Sequence, residues 1–214
     1  MARRYAWSVD LPVFALHSVL FPGESLALRV FEERYLRMME AVLPDRPFVI
    51  AAIREGREVG GPAEPFRVGV TITVRDHTVR PDGAIELEVL GRDRVTLVEP
   101  LTTQPYPIWR SEAFPDEGGA GTDDVEVAVR AFHRFLRATG LVDVVPAVPH
   151  DPVAAGYVLA AAVPALLPQR QALLAAPGAG ERLRLVREAF ALEARLISTL
   201  HAGVGGADPA VNPN

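Results

Sequence analysis

The side chains able to do chemistry come first. The five histidines, His17, His77, His133, His150 and His201, are scattered, and none falls in an HxxxH or HExxH spacing that would set two ligands on one helix face. His150-Asp151 reads as a loop or helix-start pair. The five serines lie outside any GxSxG elbow. Ser25, just after Gly23-Glu24, reads as a turn hydroxyl. A hydrolase would need Ser25 or His17 to meet a carboxylate in space, and nothing local brings them together. The chain has no cysteine, which excludes disulfides, thiolate metal sites and thiol catalysis. All 22 basic residues are arginine. Without lysine there is no GxxxxGK[ST] phosphate loop, no Schiff base and no Ser–Lys dyad. "EGREVGGP" (55–62) is rich in glycine but leads toward a strand, whereas phosphate cradles open helices; it reads as a mobile loop.

Bulk charge points the same way. The net charge is −5 over 214 residues, so general attraction to nucleic acid or anionic lipid is not expected. Arginines alternate with acids, as in Glu32, Glu33, Arg34, Arg37 and Glu40. Arg92 and Arg94 are expected to pair with Glu86 or Glu88 across a hairpin.

These residues must be positioned by a β-rich first half. "FRVGVTITVR" (66–75) alternates with period two, a half-buried strand. Arg80-Pro81-Asp82-Gly83 is a turn, because proline presets φ and glycine takes a positive one. It leads into a strand with Ile85, Leu87 and Val89 inward, and Val95 and Leu97 begin another. Phe21-Pro22-Gly23 turns between strands at 11–16 and 26–31. Leu36, Met39 and Val42 fall at helical spacing before Pro44, and "FVIAAI" (48–53) reads as a strand covered on both faces. The second half is helical. Asp123 or Asp124 can cap a helix running to Gly140, further helical segments fill 152–176, and a last helix runs from Glu181 to about His201. Its apolar stripe (Leu183, Val186, Phe190, Ile197, with Leu192 and Leu196) is wide enough to meet several neighbours, hence a bundle.

Arg3 and Arg4 before an apolar run imitate a secretion leader. Asp10, Pro12, His17 and Ser18 interrupt that run, no cleavage site follows, and no window approaches the roughly 18 apolar residues of a membrane span. A soluble, cytoplasmic protein is expected.

The stretch "LPVFALHSVLFPGESLALRVFEERYLRMMEAVL" (11–43), continued in "FRVGVTITVRDHTVRPDGAIELEVLGRDRVTLVE", resembles the N-terminal substrate-binding domain of ATP-dependent Lon proteases, and "ERLRLVREAFALEARLI" resembles its helical part. The likeness spans about residues 11–200. Thr71 after Val70, and Leu90-Gly91 where the family has Glu-Gly, depart from its pattern. The resemblance implies an α+β fold, a PUA-like β-barrel followed by a C-terminal helical bundle. The expected division is a barrel at 1–112, a linker at 113–122, a bundle at 123–202 and a flexible tail at 203–214. No ATPase or protease domain fits after the match, so a free-standing, non-catalytic form without cofactor or metal is expected. Its partners would be exposed apolar polypeptide segments, with a separate ATP-dependent protease as a further partner. The alternative is an RNA binder reusing the barrel, which the interleaved arginines disfavour. Candidate peptide-contacting residues are Leu20, Phe21, Pro22, Phe31, Tyr35 and Met38: the first three at a turn, Phe31 outward on a strand, Met38 about 100° round the helix from Met39.

Overall fold

A computed structural model describes residues 8–61, 63–140 and 146–204, the last four by backbone alone. The leader-like Arg3 and Arg4, the opening of the 142–152 connection and the expected tail from residue 205 lie outside the described residues. Seven strands come first: β1 (Ser8–Leu16), β2 (Ser25–Val30), β3 (Val49–Gly56), β4 (Ala63–Pro65), β5 (Val68–Val79), β6 (Ile85–Thr102) and β7 (Ile108–Ala113), with helix α1 (Glu33–Val42) between β2 and β3. The pairings β1–β7–β6–β5–β3–β1 close a ring in which only β1–β3 is parallel. β2 joins the ring by pairing with the first half of β6 (Ser25 opposite Leu90, Val30 opposite Ile85). β4 pairs with β3.

The two sequence-predicted turns form. Gly23 has φ 84° in the turn closed by Glu24 N–H to Phe21 C=O (3.0 Å), and Gly83 has φ 82° in the β5–β6 hairpin closed by Gly83 N–H to Arg80 C=O (2.9 Å). The alternating segment at 66–75 is strand β5, which runs on to Val79. The two strands expected after it are one long β6. A bulge explains how β6 serves two environments. Val70 opposes Arg94 while Ile72 opposes Gly91, so β6 carries one extra residue. Val95 and Leu97 are buried on the sheet face opposite that of Leu87 and Val89, and Arg94 shares the face of Val70, toward the bundle. Gly91 is required there: a Cβ would sit 2.4 Å from the Phe21 carbonyl oxygen.

That bulge corrects one expectation. Arg94 does not reach Glu86 or Glu88; it points toward the bundle with 1% of its side chain exposed. Glu86 pairs with Arg80 instead, and Arg92 donates to Thr73 Oγ1 at 2.9 Å. Inside, Arg94 joins Asp116, Arg182 and Tyr157. Asp116 accepts from Arg182 Nη2 (2.7 Å) and from the Tyr157 hydroxyl (2.6 Å), with Arg94 Nη2 at 3.2 Å. Arg94 also donates to the Leu174 and Ala176 carbonyls, and Arg182 to the Leu173 carbonyl. Burial pulls the Arg94 pKa down and pushes the Tyr157 hydroxyl up, the latter helped by its bond to Asp116. Residues 113–121, loose by composition, are therefore anchored at Asp116, and Glu117 N–H bonds the Pro177 carbonyl at 2.8 Å.

The helices are α2 (Thr122–Thr139), α3 (Pro152–Ala161), α4 (Leu167–Ala175) and α5 (Ala179–Val204). Gly121 is the N-cap of α2, and Asp124 reaches back to its N–H (2.9 Å). Asp151 caps α3 by accepting from Ala154 N–H (2.8 Å). Pro164 and Pro168 divide the 152–176 segment: the chain leaves helix after Ala161, and α4 starts with Pro168 in its first turn. α5 meets α2, α3 and α4, burying Leu183, Val186 and Phe190 of the expected stripe, while Leu192 and Leu196 stand 48% and 50% exposed. One apolar cluster joins Phe132, Phe135, Leu183 and Phe190 of the bundle to Val19, Phe21, Ala52 and Val70 of the barrel. A second cluster packs α1 against β1, β2, β3, β5 and β6, and a third, with Leu11, Val13, Val49, Val95 and Trp109, fills the ring.

Candidate functional site

The segment Phe31–Tyr35 enters α1, and each of its residues has a distinct task. Phe31 follows β2 and stands 55% exposed. Glu32 is the helix N-cap, yet its carboxylate caps nothing in α1. It accepts from Gly60 N–H (3.1 Å) and pairs with Arg34 (3.1 Å). Glu33 pairs with Arg37 one turn on, an exposed contact. Arg34 donates to the carbonyls of Gly61 (2.9 Å) and Glu58 (3.2 Å), with its guanidinium 4.6 Å from the centre of the Tyr35 ring. Tyr35 is buried and stacks on Phe14 (4.1 Å between centroids). Its hydroxyl accepts from Ala15 N–H at 3.2 Å, and burial pushes its pKa up.

The loop β3–β4, residues 57–61, is thus held against the start of α1. It divides two hollows that share Ala15, Glu32 and Tyr35 as walls. The larger, about 440 Å³, is lined by Gly60 and Gly61, Trp109, Pro65, Pro105 and Pro107. The smaller, about 150 Å³, lies between β1 and β2 and is lined by Phe14, Leu28, Phe31, Glu58 and Val59. Val59, like Phe31, is more than half exposed. Among the described residues β2 pairs only with β6, so its far edge borders the smaller hollow with main-chain groups free to bond another strand. The arrangement suits an extended chain with apolar side chains.

Of the six sequence-predicted contact residues, the structure brings Phe31 and Tyr35 to this site. Only Phe31 is exposed; Tyr35 forms wall and floor. Pro22 is half-buried in its turn. Leu20, Phe21 and Met38 are buried at 4%, 0% and 0% exposure, which corrects their reading as surface anchors. Phe21 is covered by α4, whose Arg170 lies over its ring (5.2 Å) and donates to the Val19 carbonyl. Met38 is buried as well as Met39 because α1 sits among side chains from β1, β2, β3, β5 and β6, so two adjacent helix faces meet core. Glu32, Arg34, Val59 and Trp109 were missed. The charged pair inside "FEERY" was the available signal; Trp109 and Val59 lie in segments without periodicity.

His17 does meet a carboxylate: its Nδ1 and its backbone N–H both lie 3.1 Å from Glu58 Oε2. Both side chains are well exposed, and Ser25 lies elsewhere, on β2 opposite Leu90. The loop at 55–62, read as mobile, is tied by Arg34, Glu32 and His17 across its described residues. Surface arginines are matched by carboxylates in the pairs Arg29–Asp82, Arg54–Glu64 and Arg110–Glu99. Among the described residues no group of three or more His, Asp or Glu is placed to hold a metal, and no helix is long and apolar enough to cross a membrane.

Comparison with known proteins gives the context. The chain is similar to Lon protease of Porphyromonas gingivalis, 29% identical over 110 residues, half of this chain and 13% of the relative. It is similar to Lon protease of Azorhizobium caulinodans, 27% identical over 82% of this chain and 22% of the relative. It therefore spans less than a quarter of the length of these relatives. Among solved structures, a Lon N-terminal domain protein from Xanthomonas campestris superposes with TM-score 0.60 and 26% identity, covering 82% of this chain and 95% of that one. The N-terminal domain of Mycobacterium avium complex Lon protease shares the fold at TM-score 0.60 and 17% identity, covering 85% of this chain and 98% of that one. The profile of the ATP-dependent protease La (LON) substrate-binding domain matches residues 10–190, which take in the ring, α1 and the bundle as far as the first half of α5, and the chain belongs to that family.

Proposed function

We propose that this chain binds extended apolar stretches of polypeptide in the cleft between β2, β1 and the start of α1, and does no chemistry on them. The observation that carries the reading is the pairing of an exposed aromatic, Phe31, with an apolar hollow along the free edge of β2. Main-chain bonds along a strand edge give affinity that ignores sequence, and one shallow apolar hollow adds a weak preference. Family membership supports the same role, since the matched domain is described by substrate binding. The paired surface arginines lend no support to RNA as ligand. Held segments would be passed to an ATP-dependent protease, which places the chain in protein quality control as a recognition or adaptor element. The peptide-contacting residues are Phe31 and the walls Leu28 and Tyr35.

Titration of fluorescein-labelled α-casein, followed by anisotropy, tests this. The wild-type chain is expected to bind in the micromolar range and Phe31→Asp at least about fivefold more weakly, the loss expected when part of an aromatic contact goes. Absence of association up to high micromolar protein would contradict it.

A further inference from the structure

The contacts of residues 57–61 have a common character. Arg34 takes two main-chain carbonyls, of Glu58 and Gly61, and Glu32 takes one main-chain N–H, of Gly60. No side chain of the loop is read by this pair. Val59 meanwhile lies at the edge of the smaller hollow beside Phe31. Both features are those of a peptide held through its main-chain groups with one apolar residue toward a pocket, although the loop itself bends at Gly60 (φ 72°). The loop also closes the passage between the two hollows, since Gly60 and Gly61 wall one and Glu58 and Val59 the other.

The geometry points to residues 57–61 as an internal stand-in for the client: a strap that occupies the main-chain reader formed by Glu32 and Arg34 and must leave it before a client chain can run from the Phe31 hollow to the Trp109 hollow. This rests on the polypeptide-binding reading above. The strap's attachments are few and polar. Beyond Arg34 and Glu32 it is tied by the Glu58 carboxylate to His17, both well exposed, so that contact is weak. Gly56 and Gly60 take positive φ (106° and 72°), a backbone path open chiefly to glycine, and a Cβ at Gly60 would meet nothing within 4 Å. The client for this site is an unfolded segment recognised by backbone and one apolar side chain, which takes over the strap's bonds to Arg34 and Glu32 and not its bent path. Its apparent affinity is reduced by the fraction of molecules whose strap is closed.

The chain has no native cysteine, which makes the test clean. In the double variant His17→Cys/Glu58→Cys the two thiols are joined by a short bis-methanethiosulfonate linker, cleavable with dithiothreitol. Labelled α-casein is then titrated with wild type, the linked and cleaved double variant, and Glu58→Ala. Linking is expected to weaken binding at least about tenfold, with recovery on cleavage, and Glu58→Ala to tighten it about threefold or more, as release of a competing closed state requires. Binding by wild type that neither linking nor Glu58→Ala changes by as much as about twofold overturns the strap while leaving the polypeptide reading intact. Absence of binding by wild type, cleaved variant and Glu58→Ala alike overturns both.

Discussion

Replacing Asp116 by asparagine removes one charge from the join between ring and bundle with almost no change in volume, so no cavity is opened. The carboxylate serves Arg182 (2.7 Å), Tyr157 (2.6 Å) and Arg94 (3.2 Å), and the two arginines have 0% and 1% of their side chains exposed. Without Asp116 two buried cations face each other. The carbonyls of Leu173, Leu174 and Ala176 that they also touch supply dipoles but no counter-charge. Removing one partner of a buried ion pair costs about 3–5 kcal/mol. With a urea m-value of about 2 kcal/mol/M, the midpoint should fall by roughly 1.5–2.5 M. Equilibrium unfolding followed by circular dichroism reads this directly. The control is Glu188→Gln, which breaks an exposed contact with Arg184 that solvent screens, and which should leave the midpoint where it is. A fall for Asp116→Asn no larger than that of the control would refute the idea that one carboxylate holds the two layers together.

Other outcomes follow from single residues. Met38→Ala, at a fully buried position, should cost about 2–5 kcal/mol in urea unfolding, while Phe31→Ala, largely in solvent, should stay within about 0.5 kcal/mol. Equal losses would return Met38 to the surface or Phe31 to the core. Gly178→Ala sets a Cβ 1.7 Å from the Glu117 carbonyl oxygen, and the forced shift should destabilise by about 1–3 kcal/mol; a neutral result would show that the 113–121 segment packs loosely there. Tyr35 and Tyr157 have pKa values pushed above 10.0 by burial. A pKa raised in the folded state means stability that is complete below the unfolded pKa and lost as pH climbs toward the folded one. The urea midpoint should therefore hold to about pH 10 and fall above it. Tyr157→Phe should flatten that fall, and an unchanged alkaline slope would refute the assignment.

The ring and bundle were largely legible because their signals are local. The alternation at 66–75, the glycine turns at 23 and 83 and the spacing of Leu183, Val186 and Phe190 on α5 are each read within a few residues of chain. Arg94 was misread because a bulge in β6 turns it to the face that the bundle covers while Val95 and Leu97 stay buried on the other, and such a bulge leaves no trace in hydrophobic periodicity. Phe21 and Leu20 looked like exposed anchors because a turn between strands usually projects outward; here α4 covers it through Arg170, some 150 residues later in the chain. The site was half legible. "FEERY" marked the right place, yet the partners of Glu32 and Arg34 are main-chain groups of residues 58–61, and main-chain partners carry no residue type to read.

Hydrogen–deuterium exchange of the wild-type chain, with and without saturating α-casein, tests the central claim most directly. A polypeptide laid along the β2 edge and the start of α1 should slow exchange in residues 25–35 and change it in 57–61, leaving α2 and the α4–α5 surface as they were. Casein that binds yet protects only the helical bundle would contradict the account.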